Sequence, residues 1–87
     1  MTVARLLEIE RIPLAIDYRR MYRANAVLAI GTHETPASPI EFTLEMSPMG
    51  SHEVSVRFPS SVDVPLVPAI RLLKDHITHL DRDGQLP

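Results

Sequence analysis

The densest chemistry in the sequence lies between Tyr18 and Arg23, where Arg19, Arg20 and Arg23 set three guanidiniums beside two phenol rings within six positions. Guanidinium forks make paired hydrogen bonds to phosphate or carboxylate, and phenol rings offer flat faces for stacking, so the cluster is equipped to hold an anion or a nucleotide. The same residues also fit a solvated strand end, with the arginines paired to carboxylates such as Asp17 or Glu45 and the tyrosines capping the core. Surface arginine clusters are more often of this second kind. A further polar group, Glu45, Ser47 and Gly50, falls at the end of one apolar alternation and in the turn that follows. His76 and His79, with Asp75 and Asp83 close by, offer imidazole and carboxylate, but zinc needs three or four converging ligands. His76 borders an apolar stripe, three residues after Leu73 and four before Leu80, where a ring packs and keeps one nitrogen wet. Neither a metal nor a cofactor is expected.

These groups need elements to position them. Ile40, Phe42, Leu44 and Met46 alternate with Glu41, Thr43, Glu45 and Ser47 at the period of two of a half-buried strand. After Pro48-Met49-Gly50-Ser51 the alternation resumes as Val54, Val56 and Phe58 against Ser55 and Arg57, which predicts an antiparallel hairpin. Ala26 to Ile30, stopped by Gly31, reads as a strand buried on both faces, and Thr32 to Pro39 as a loop. Upstream, Leu7 and Ile9 alternate in one phase and Ile12, Leu14, Ile16 and Tyr18 in the other. A strand there needs a bulge near Arg11 and an edge position for Pro13; a short helix over Val3, Leu6, Leu7 and Glu10 is the alternative, and the strand is preferred. The period then changes. Leu66, Ile70, Leu73, Ile77 and Leu80 recur in steps of four and three, the seam of an amphipathic helix, with Pro65 and Pro68 near its first turn, Asp63 placed to help cap it and Gly84 as its stop.

On those elements the polar groups acquire a pattern. Arg19 and Arg23 form RxxxR, and Glu45 to Gly50 reads ExSxxG across a strand pair some tens of residues later. Together they resemble the PilZ family. The resemblance implies a cyclic di-GMP site in which Arg19 and Arg23, beside Arg20, grip phosphates and guanine edges, Ser47 and Gly50 shape the second wall, and Glu45 takes the place the family gives to Asp or Asn. A module of that family with an altered site would bind a protein instead.

Composition bounds the rest. Eighty-seven residues with 45% apolar and 23% charged side chains suit one domain, 1–87, with one core. A net charge of -2 argues against general nucleic-acid binding. No apolar run is long enough to span a bilayer and no signal-peptide pattern opens the chain, so a cytoplasmic location is expected. Cysteine is absent, and no glycine-rich phosphate loop, nucleophile elbow or HExxH motif occurs, so an enzyme is not expected. The reading is an α+β protein: a small antiparallel sheet or partly open barrel of about four to five strands, closed by one C-terminal amphipathic helix. Its expected role is a non-enzymatic interaction module that pairs with itself or with a protein partner, with cyclic di-GMP binding as the alternative.

Overall fold

In the computed structural model, which describes residues 1–87, the chain runs β1 (Thr2–Ile12), β2 (Arg19–Ile30), a two-residue β3 (His33–Glu34), β4 (Ser38–Met46), β5 (His52–Arg57) and α1 (Leu66–Arg82). Every pairing is antiparallel, in the order β1-β2-β4-β5, with β3 a short rung beside the end of β2. The sheet stays open, with β1 and β5 as its edges, so the architecture is small α+β with one helix over one face.

The hairpin forms where alternation places it. Ile40, Phe42 and Leu44 are buried and face α1, while Glu41, Thr43 and Glu45 point the other way. The twelve residues of β2, at about 3.3 Å each, span about 40 Å and account for the 40 Å long axis of the molecule. Tyr22, Ala24, Ala26 and Leu28 supply its core face, and Tyr22 stacks on its register partner Phe42 with ring centroids 5.0 Å apart.

Strand β1 solves the phase problem with two irregularities, one between Val3 and Arg5 and one between Leu7 and Glu10, where Glu8 takes φ 53°. Each adds a residue, so Val3, Leu6 and Ile9 all pack against the core at steps of three. A helix-like spacing thus arises inside a strand, and the short helix is excluded. The slip sits at Glu8, not Arg11. The expected continuation from Ile12 to Tyr18 does not form: β2 begins at Arg19, so the reversal of the chain must fall in Pro13–Tyr18, and Leu14, Ile16 and Tyr18 are exposed. Pro13 has no N–H to donate to a ladder and marks the exit. The stretch expected as a loop, Thr32–Pro39, contains β3 and the first two residues of β4.

Helix α1 buries Ala69, Leu73 and Ile77 completely, whereas Leu66 is 50% exposed. The stripe is therefore centred a step away from the seam read in the sequence, because Leu66 lies at the helix start, where little of the sheet reaches it. Pro65 is the N-cap and no side chain caps the helix, so Asp63 does not take that role. Pro68 occupies the third helical position, whose N–H has no intrahelical partner in any case. At the other end Gly84, at φ 69°, sends its N–H to Asp81 and Gln85 sends its N–H to Leu80, the Schellman arrangement. The chain then turns back, and Leu86 packs against the core.

Candidate functional site

Strand alternation separates the three arginines. Arg19 and Arg23 point to the open face of the sheet and Arg20 to the helix face, because neighbouring residues on β2 project to opposite sides. Arg19 lies opposite Glu45 on β4 and its Nη2 donates to Oε2 at 2.9 Å. Arg19 Nε is buried and has no hydrogen-bond partner. Arg23, four positions along and about 13 Å away by strand geometry, lies between Glu10 on β1 and Glu41 on β4. Its Nε is 3.6 Å from Glu10, and Glu41 accepts instead from Arg57 of β5 at 2.8 Å. Glu10, Arg23, Glu41 and Arg57 are successive register partners, so an acid-base row crosses all four long strands.

Arg20 is built into the fold. Its Nη2 donates to Asp81 Oδ1 of α1 at 2.7 Å and its Nη1 to Tyr22 Oη at 3.3 Å, while the Tyr22 hydroxyl donates to the Pro87 carbonyl at 2.9 Å. The bond to Asp81 is the main reason the Arg20 guanidinium holds its proton more tightly than usual. His52 Nδ1 lies 4.0 Å from the other oxygen of Asp81.

The turn after β4 brings Ser47 and Gly50 to one end of the sheet. Ser47 and Ser51 hydroxyls are 2.7 Å apart, the Ser47 carbonyl accepts from Gly50, and Gly50 adopts φ 83°, a conformation natural to glycine. Met46 N–H donates to the Tyr18 carbonyl at 3.0 Å, which holds the start of β2 against this turn. Of the residues singled out in the sequence, Arg19, Glu45 and Ser47 are thus brought together with Gly50 at the turn tip, beside a hollow of about 480 Å³ lined by Tyr18, Glu45, Met46, Ser47 and Pro48. Arg20 and Arg23 are not part of it.

A second open hollow of about 410 Å³ lies on the open face, where Glu8, Glu10 and Glu41 surround Arg23 and Asn25. Asn25 donates to Glu8 at 2.9 Å. Sequence reasoning missed this group, since three strands contribute to it; the equal distances of Glu41 and Arg57 from the hairpin turn were its one legible sign. Further along, Arg5 and Glu34 form a two-bond pair, each bond 2.9 Å, which holds the Glu34 carboxyl below its ordinary range and raises Arg5. On α1, burial first and His79 second push the His76 imidazole down from its ordinary value. His79 Nδ1 itself bonds to the Asp75 carbonyl at 2.7 Å.

The open face is therefore a lattice of cross-strand ion pairs, with its charged groups engaged by one another. No helix is long and apolar enough to cross a membrane. No curated protein and no solved structure matches the chain. A family model does match, over residues 1–82 and hence through every element described above, and by that match the chain belongs to the BB-0187 family.

Proposed function

We propose that the protein is a non-enzymatic interaction module that works through protein-protein contacts and assembles with itself. The observation that carries this reading is the unfinished core layer at the β5 edge. Val54 and Val56 face the helix side yet are only half-buried, and a groove of about 510 Å³ runs beside them between Phe58, Val62, Leu66 and Ile70. Apolar surface at an open strand edge is stabilised by a partner that covers it. The engaged state of the polar side chains supports the non-enzymatic part, since Arg19, Arg20, Glu41 and Asp81 all serve in pairs that hold strands or helix together. Light scattering tests the assembly: a mass of twice the 9.8 kDa chain supports it, and a 9.8 kDa particle at millimolar concentration refutes it.

A second reading, a cyclic di-GMP site of PilZ type, has in its favour the unpartnered Arg19 Nε next to the hollow at Ser47. Guanidinium groups suit both phosphate and guanine edges. Isothermal titration with cyclic di-GMP decides it: heat that disappears in Arg19→Ala supports the site, and no heat with the unaltered protein removes it.

A further inference from the structure

We propose that two copies of the chain join by antiparallel pairing of their β5 strands about a two-fold axis at Ser55, which extends the two sheets into one. The proposal deepens the assembly reading above and rests on it.

The two edges of the sheet are not equivalent. Strand β1 is interrupted twice and carries a left-handed residue at Glu8, the kind of irregularity that prevents further strand addition. Strand β5 pairs with β4 in one unbroken register from Glu41↔Arg57 to Met46↔His52. It is regular up to its outer side, where its backbone donors and acceptors have no strand to meet. A second β5 supplies the matching row.

The side chains select the register. When two sheets continue across an axis perpendicular to them, facing residues share a face, so open-face residues of one β5 must meet open-face residues of the other. With the axis at Ser55, Glu53 faces the second copy's Arg57, Arg57 faces its Glu53, and Val54 and Val56 face Val56 and Val54. A shift of the axis to Val54 sets Glu53 against Ser55; a shift to Val56 sets Ser55 against Arg57. Only the Ser55 register joins opposite charges twice and valine to valine twice.

Glu53 also lacks something that this arrangement provides. Within the chain it faces Glu45 across the β4–β5 ladder, and like charges directly opposite are unfavourable. It takes part in none of the ion pairs of the molecule. Arg57, with its side chain 71% exposed and one of its five donors given to Glu41, is free to serve a second carboxylate. Pairing two copies gives each Glu53 a cation and carries the acid-base row across the junction. On the helix face it lays the second copy's valines beside Val54 and Val56 and narrows the groove at Phe58, Leu66 and Ile70.

The chain contains no cysteine, so a single introduced thiol reports position cleanly. Ser55→Cys is expected to cross-link to its counterpart with a short bismaleimide, because facing Cβ atoms of paired strands lie about 4.5–5.5 Å apart, whereas Arg11→Cys on the β1 edge is not. Glu53→Arg relieves the clash with Glu45 and opposes two arginines across the junction, so it is expected to keep or raise folding stability and weaken self-association by about tenfold or more. Adding Arg57→Glu restores opposite charges and is expected to recover association. If the unaltered protein is dimeric but Ser55→Cys cross-links no better than Arg11→Cys and Glu53→Arg leaves the dissociation constant unchanged, the β5 pairing is overturned and the assembly reading survives. A monomeric unaltered protein overturns both.

Discussion

Arg20 Nη2 donates a 2.7 Å hydrogen bond to Asp81 Oδ1, so the second residue of β2 is clamped to the last turn of α1. Both side chains are at least two-thirds withdrawn from solvent, at 30% and 22% exposure, which limits screening of the pair. Arg20→Ala is expected to cost about 1–3 kcal/mol, the range of hydrogen bonds to charged groups, because it strips Asp81 of its donor. Arg19→Ala removes a more exposed pair, Arg19–Glu45, and is expected to cost less than about 1 kcal/mol. Urea denaturation of both variants checks the ranking, and a double-mutant cycle of Arg20→Ala with Asp81→Asn should be non-additive.

The centre of the helix stripe gives a second prediction. Leu73 is fully buried, and Leu73→Ala is expected to destabilise by about 2–5 kcal/mol. Leu66, half exposed at the helix start, is expected to change folding of the monomer by only about 0.5 kcal/mol when truncated to Ala. Equal losses at the two positions, measured by thermal or chemical unfolding at low protein concentration, would return the stripe to the seam through Leu66.

A methyl group added at Gly84 would meet open space, so neighbouring atoms do not constrain the position, but its φ of 69° does. Gly84→Ala is expected to cost about 1 kcal/mol, the penalty of a left-handed L residue. Since the Schellman turn directs Leu86 onto the core and Pro87 to Tyr22, loss of protection at the Tyr22 end of β2 in hydrogen exchange should accompany it.

Acid should weaken the fold through His76. Its folded-state pKa lies below the ordinary 6.5, chiefly through burial. The unfolded chain then binds more protons between the two values, so this contribution to stability is complete above pH 6.5 and declines as pH falls through 6.5 toward the lowered value. His76→Gln is expected to flatten the stability profile over that window, read by denaturation at a series of pH values; an unchanged profile would assign the acid sensitivity elsewhere.

Much of this fold is written in local periodicity. The β4–β5 hairpin and α1 follow from alternation at two and at three to four residues, signals carried by neighbours within one element. What was not legible depends on distant partners. The spacing of Val3, Leu6 and Ile9 has no single local meaning, and only pairing against β2 turns it into a twice-bulged strand. Pro13 to Tyr18 continues an alternation that packing does not use, since β2 starts only at Arg19. The candidate site divided for a simple reason: adjacency in sequence joined Arg19, Arg20 and Arg23, while strand geometry sends Arg20 to the opposite face and sets Arg23 four residues from the partner of Glu45. The pairing of Arg19 with Glu45 was anticipated from charge alone; Asp81, 61 residues from Arg20, had no local signal.

Sedimentation velocity over a wide concentration range tests self-assembly most directly. The account predicts a concentration-dependent shift from the 9.8 kDa chain to a species of twice that mass, with Glu53→Arg shifted toward the smaller one. A single 9.8 kDa species at every concentration up to millimolar would contradict it.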